Sequence, residues 1–287
     1  MEKDLTTQGK QQELSTLKLF NACIASEQTQ QYLQQVLHER KSSFVNNIVA
    51  LVSNSVSLQE CVPMSLIYAG LKATALNLPL DPNLGFAYVI PYKNNKKGIT
   101  EAQFQIGYKG LIQLAIRTGQ YLLLNVTEVR YGEYKGTNLL TGEVEVSAVP
   151  DRESQPVIGY VAYFKLTNGF AKALYMTVEK VKEHATRYSQ TYSSKIDYIR
   201  KSSKWTTDFD EMAKKTVLKL LLSKYGPLSV EMRNAIEADQ AVIDDQGYAQ
   251  YLDNPEGQKI TVESIGEAVD AQKEEMRSRE AQPPKLL

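Results

Sequence analysis

The side chains best placed for chemistry in this 287-residue chain are cations and aromatic rings set close together. The segment Tyr108 to Thr118 reads as a helix closed by Gly119, and on it Lys109, Gln113 and Arg117 fall at i, i+4 and i+8. They drift only about 80° around the axis, so they share one face. Gly110 lies at the edge of that face, where a missing side chain lets a backbone come close. Gly107 stands where the helix begins, so free amides there could add an anion site. Leu111, Ile112, Leu114 and Ala115 point elsewhere and can bury. An ordinary solvated face is the alternative.

A second basic element runs from about Phe209 to Tyr225, where Lys215 and Lys219 lie within about 40° of each other on the polar side, beside Met212. Lys214 instead falls inside the apolar arc of Val217, Leu218, Leu221 and Tyr225. A lysine there must snorkel, pair with a carboxylate, or line a cleft that holds an anion. Just upstream, Arg200, Lys201 and Lys204 surround the sole tryptophan, Trp205, and Tyr188, Tyr192 and Tyr198 extend the pattern. Cations for phosphates and flat rings for unstacked bases are what single-stranded nucleic acid requires. The phosphate candidates are Lys109, Arg117, Arg200, Lys201, Lys204, Lys214, Lys215 and Lys219; the stacking candidates are Tyr108, Tyr192, Tyr198 and Trp205. Seventeen tyrosines also suit a half-buried sheet, so packing competes with stacking at each one.

Other chemistries find little purchase. The two histidines, His38 and His184, sit in separate helical segments without metal-ligand spacing, which speaks against a zinc cluster or a histidine-based triad. The Gly9-Lys10 pair is followed by Gln11, so no phosphate-binding P-loop forms. The carboxylates Asp208, Asp210 and Glu211 could hold magnesium in a nucleic-acid-processing enzyme, or could simply complement a helix dipole.

The charge sum conceals its own distribution. Basic and acidic residues number 33 each. From Lys172 to Lys224, however, twelve Lys/Arg face six Asp/Glu, a net of +6; from Gly226 onward six face thirteen, a net of −7. A basic middle beside an acidic tail points to polyanion binding. Two cysteines, Cys23 and Cys61, suit a reducing compartment, the polar start MEKDLTTQGK predicts no secretory signal, and no apolar run approaches the roughly eighteen residues of a membrane span. A cytoplasmic protein is expected.

These groups need elements to position them. Residues 1–28, Gln/Thr/Ser-rich with one apolar cluster at Leu14 to Ile24, read as a mobile arm. Helical spacing follows from Thr29 to about Ser53, and a helix beginning at Pro63 runs to Ala75. Strands are expected at Phe86 to Tyr92, Ala102 to Ile106, Tyr121 to Val129 and Glu143 to Val149, the last two separated by Gly/Tyr-rich turns. Val157 to Leu166 and Phe170 to Thr177 form the clearest hairpin, around Thr167-Asn168-Gly169. Thr177 would cap a helix from Val178 to about Tyr188, and Asp208 with Glu211 would form a capping box for the last helix, stopped by Gly226-Pro227. Strand–helix–strand alternation does not recur, so the expected fold is α+β: a small antiparallel or mixed sheet with a long hairpin, flanked by helices. Helical fragments at Val230 to Ile243 and Val262 to Arg279 would make residues 227–287 an acidic, helical tail behind a core at 29–226.

Several blocks resemble the RecT family of phage and prophage recombinases. They are L-P-L-D-P-N-L-G-F-A-Y-V-I-P-Y at Leu78 to Tyr92, F-Q-I-G-Y-K-G-L-I-Q-L-A-I-R-T-G at Phe104 to Gly119, and G-Y-V-A-Y-F-K-L-T-N-G-F at Gly159 to Phe170. Y-M-T-V-E at Tyr175 to Glu179 and W-T-T-D-F-D-E-M-A-K-K-T-V-L-K at Trp205 to Lys219 follow in the same order, so the resemblance covers about Thr29 to Ser229. It implies a single-strand annealing protein of homologous recombination and DNA repair that works without ATP or another cofactor, magnesium being at most modulatory. It further implies rings or helical filaments, with single-stranded DNA and the annealed duplex in a basic groove. The implied partners are a 5′-to-3′ exonuclease and, through the C-terminal tail, the host single-strand DNA-binding protein.

Overall fold

The structure, a computed structural model, describes residues 16–94, 97–239, 241–243 and 249–251, which divide into two compact units. One unit comprises the described residues up to Ile106 and from Glu237 onward, the other residues 107–236.

The first unit is built on a run of helices. Residues 16–25 form α1, followed by α2 (Glu27–Leu37), a 3₁₀ turn (His38–Arg40), α3 (Lys41–Ser53), α4 (Val56–Gln59) and α5 (Pro63–Ala75). The arm expected over 1–28 is therefore helical in its described part, and Phe20 and Ile24 are buried. Ser26 caps α2, its hydroxyl accepting from Thr29 N at 3.3 Å. The helical spacing after Thr29 does not yield one rod. His38 takes a positive φ of 48°, which closes α2 and redirects the chain into α3.

Pro63 occupies the first turn of α5, as its missing N–H favours. β1 (Ala87–Asn94) and β2 (Ile99–Ile106) then pair antiparallel over eight positions, a longer hairpin than the spacing suggested. Val62 N donates to Thr100 O at 2.8 Å and Ala102 N donates to Ser65 Oγ at 2.7 Å, which fastens β2 to the start of α5. Leu33, Ile48, Val52, Leu66, Ile67, Phe104 and Ile106 fill the core beneath it.

The second unit begins with α6 (Tyr108–Arg117), then β3 (Tyr121–Arg130), β4 (Tyr134–Thr137), β5 (Val144–Val146), β6 (Val157–Leu166) and β7 (Ala171–Thr177). The helices α7 (Val178–Tyr188), α8 (Asp197–Ser202), α9 (Lys204–Thr207) and α10 (Phe209–Tyr225) complete it. The strands β3, β6 and β7 form an antiparallel sheet with β6 in the centre. The long hairpin falls where its alternating residues placed it, turning at Gly169 with φ 91°. On one face Tyr160, Ala162, Phe164 and Leu166 are buried, and α10 packs against β6, β7 and β3. Gly159 lets the Tyr175 ring cross β6 closely: a Cβ there would meet the Met176 carbonyl at 2.6 Å. Fold class is as expected, α+β with small antiparallel sheets.

Three local expectations change. The Gly/Tyr-rich turn after β3 contains a strand, β4, paired with a β5 shorter than the expected 143–149; Gly136 weakens the alternation that would reveal it. The segment from Val230 is helical only as α11 (Val230–Ala238), with Met232 and Ala235 buried. Ala241–Ile243 is instead a strand, β8, paired with β9 (Ala249–Tyr251). The expected fragment at Val262 to Arg279 lies outside the described residues. No helix among the described residues is long and apolar enough to cross a membrane.

Lys72 on α5 is buried, and desolvation lowers its pKa from 10.5 to about 8. Between those values the unfolded chain keeps a proton that the folded chain releases, so stability rises with pH across that window. Below it, both states are charged and the fold carries a desolvated cation. Lys72→Met is therefore expected to stabilise the protein at pH 7, by on the order of 3 kcal/mol at most, and to abolish the rise. Denaturant titrations of both proteins from pH 7 to 10.5 check this; parallel curves would contradict it.

Candidate nucleic-acid interface

The face expected on α6 forms. Gly107 is its N-cap in extended conformation, without a side-chain cap for the first amides. Lys109 and Arg117 are exposed and Gln113 is half-buried, while Gly110, Leu111, Leu114 and Ala115 turn inward. Amphipathic spacing decides this arrangement, because burying the leucine side leaves the cations in water.

At the start of α6, Tyr108 meets α10. Burial raises its phenol pKa; the Lys214 charge opposes that rise and Glu211 reinforces it. Of the three options open to Lys214, the structure takes the carboxylate pair: its ammonium lies 2.5 Å from Glu211 and 3.7 Å from Glu128. Burial pulls the Lys214 pKa down, but the Glu211 hydrogen bond and the charges of Glu211, Glu128 and Tyr108 outweigh it, so the net shift is upward. Glu128 is directed to this spot by register, since it pairs with Tyr160 on the helix-covered side of the sheet. The sequence reading did not single out Glu128; only strand pairing reveals it.

Lys215 is corrected. It was expected on the polar side of α10 with Lys219, yet it is buried at 7% exposure, along with Ala213, Thr216, Val217, Leu218, Leu221 and Leu222. The cause is packing on several sides: β6, β7, β3, α6 and α9 all contact α10, so no broad polar side exists. Lys219 is half-buried; burial of His184, then the charges of Lys219 and Arg187, hold the His184 pKa down to about 4. His184 is thus neutral near pH 7.

Trp205 is corrected as well. It is 6% exposed and packs among His184, Tyr192 and Phe209, with ring centroids at 6.4, 6.3 and 5.8 Å. It packs as the hydrophobic anchor of α9. Tyr192 is half-buried against it, Tyr108 is half-buried at α10, and Tyr198 is exposed at 74%.

Arg200 and Lys201 both reach Asp197, at 2.6 and 2.7 Å, and Lys204 reaches Asp208 at 2.8 Å. Three cations thus share two carboxylates, leaving a local excess of one positive charge. The Lys201 hydrogen bond, followed by the Arg200 charge, holds Asp197 below the usual carboxylate range, and that of Lys204 does the same for Asp208. All three pairs are exposed, where partners exchange at little cost.

The carboxylates Asp208, Asp210 and Glu211 do not converge. Asp208 accepts from Lys204 and Thr207, Asp210 from the buried Tyr160 hydroxyl, and Glu211 pairs with Lys214. Asp208 makes no capping bond to α10, so the expected capping box is absent; Thr177 does cap α7, accepting from Lys180 N. Among the described residues no group of three His, Cys, Asp or Glu is arranged to hold a metal ion. The structure adds two cations that spacing did not suggest: Lys172 and Lys224 stand over the Tyr225 ring at 5.2 and 5.3 Å.

Comparison with known proteins places this constellation. The RecT family model matches residues 42–251, which contain every candidate named above. Over 231 residues, 80% of the chain, it is 42% identical to 74% of the uncharacterized protein YqaK of Bacillus subtilis (strain 168). Over 192 residues, 64% of the chain, it is 31% identical to 65% of Protein RecT of Escherichia coli (strain K12). With a match across most of its length and the basic α6 face inside it, the chain belongs to the RecT family of single-strand annealing proteins of recombination.

Proposed function

We propose that the chain binds single-stranded DNA in a basic groove and anneals it to a complementary strand without ATP, as an oligomer. The observation that carries this reading is the exposed Lys109/Arg117 face of α6 within the matched region. These two cations neutralise phosphates directly, and the Lys214–Glu211–Glu128 cluster ties α10 to β3 beside Tyr108, the residue that opens α6. Arg200, Lys201 and Lys204 exchange their carboxylates for phosphates, and Tyr198 offers a ring for a base. Lys215 and Trp205 act through packing. Two strands repel each other; screening by successive subunits lets bases meet, and pairing itself reads the sequence.

The same reading assigns the protein to the bacterial cytoplasm, working behind a 5′-to-3′ exonuclease. Residues beyond the matched region contact the host single-strand DNA-binding protein, and no ATP is consumed. Because Met232 and Ala235 are buried, a tail deletion that spares them starts after Tyr251, rather than at residue 227.

Two measurements test the reading. Mixing complementary labelled oligonucleotides with protein and no nucleotide is expected to accelerate duplex formation, with length unchanged in magnesium. Failure to anneal, or shortening that Asp210→Asn abolishes, would replace annealing by processing. In fluorescence titrations with unlabelled-sequence variants, log affinity is expected to fall with log salt at a slope of roughly −3 to −4, for four to six phosphates per protomer. Lys109→Ala should weaken binding regardless of sequence and flatten the slope by about 0.7, whereas Lys214→Ala should mainly lower stability, by about 1 kcal/mol. An unchanged slope in Lys109→Ala removes α6 from the groove.

A further inference from the structure

The hairpin joining β4 to β5 ends in Asn138-Leu139-Leu140-Thr141-Gly142, and Leu139 and Leu140 are 96% and 97% exposed. Fully solvated adjacent leucines are costly in a monomer. Here hydrogen bonds fix the conformation of the loop that carries them. Asn138 Oδ1 accepts from Leu140 N and Thr141 N at 2.9 and 3.2 Å, and Gly142 N donates to Asn138 O at 2.7 Å. Lys172 Nζ donates to Thr141 O at 2.6 Å, tying the tip to β7. A preorganised apolar knob loses little entropy when it inserts.

The same unit carries an uncovered apolar surface. α10 covers one face of the three-stranded sheet; on the other, Leu123 and Tyr163 are exposed at 55% and 36%, diagonal neighbours two register positions apart on β3 and β6. Leu122 joins them at 59%, because the register shift between Tyr121 and Leu123 leaves it unpaired. Lys165 stands directly across from Leu123.

We propose that Leu139 and Leu140 of one copy dock on the Leu122/Leu123/Tyr163 face of the next copy, with Glu143 beside the knob meeting Lys165. Charge decides the occupant. From Tyr134 to Val146 the hairpin carries Glu143 and Glu145 against Lys135, and Lys172 at its tip is taken up by Thr141 O and the Tyr225 ring, so a face containing Lys165 suits the hairpin better than a polynucleotide does. Knob and face are different surfaces of one chain, so the contact is heterologous and propagates into a ring or a filament. This rests on the oligomer reading above and names its interface.

The test uses the full chain, with mass photometry and sedimentation velocity, with and without single-stranded oligonucleotide. Leu139→Asp/Leu140→Asp is expected to raise the concentration needed for assembly roughly tenfold or more, with an unaltered circular-dichroism melt. Lys165→Glu should impair assembly, and adding Glu143→Lys should restore it. Wild-type assembly that survives the double aspartate change overturns the interface while leaving the oligomer reading intact. A wild-type protein that never assembles sinks both. Retained assembly with lost DNA binding would put the leucines on DNA and likewise overturn the proposal.

Discussion

Packing α10 is the constraint around which the second unit is arranged. The helix carries Lys214, Lys215, Lys219 and Lys224, yet it must cover the inner face of a sheet lined by Tyr160, Ala162, Phe164 and Leu166. A cation moved from water into such a place is tolerated only with a compensating partner. β3 supplies one for Lys214 through Glu128, and α10 supplies Glu211 from its own first turn. At the far end, the lysines at 172 and 224 lie over Tyr225. Asp210 accepts a hydrogen bond from the Tyr160 hydroxyl, so the carboxylates of the first turn hold the helix in place.

That arrangement separates anchoring cations from exposed ones. Lys214 stabilises a junction, and its neighbour Tyr108 stays half-buried there. Lys109, the next residue of α6, and Arg117 at its last position stay in water because the leucine side of that helix has gone inward. A depressed His184 beside Lys219 keeps the aromatic cluster around Trp205 uncharged, so α9 can rest on it while Arg200, Lys201 and Lys204 remain outside. Basic charge is thus displayed on short helices whose apolar sides are anchored, which gives a polyanion fixed positions to bind.

Legibility followed the strength of local patterns. The hairpin of β6 and β7 was readable to the residue at its first strand, since alternation over ten positions and a Gly169 turn leave few alternatives. The α6 face was equally plain. What could not be read was anything set by several neighbours at once. Lys215 looked polar by angle but is enclosed, and Trp205 looked like a platform but fills a core. β4 was missed because Gly136 interrupts its pattern, and the break at His38 because no glycine or proline announces it.

Local order alone determined the α+β class, the split of basic middle and acidic tail, and the order of blocks that marks the family. Those properties depend on residue types and short periods, which any folded form of the chain retains. Tertiary structure decided which cations face water, which carboxylates face them, and which apolar residues were left exposed, as at Leu139 and Leu123. The reason is that burial and pairing are sums over partners far apart in the chain. Glu128 and Lys214 are separated by more than eighty positions, and only the docking of α10 on β3 makes them neighbours.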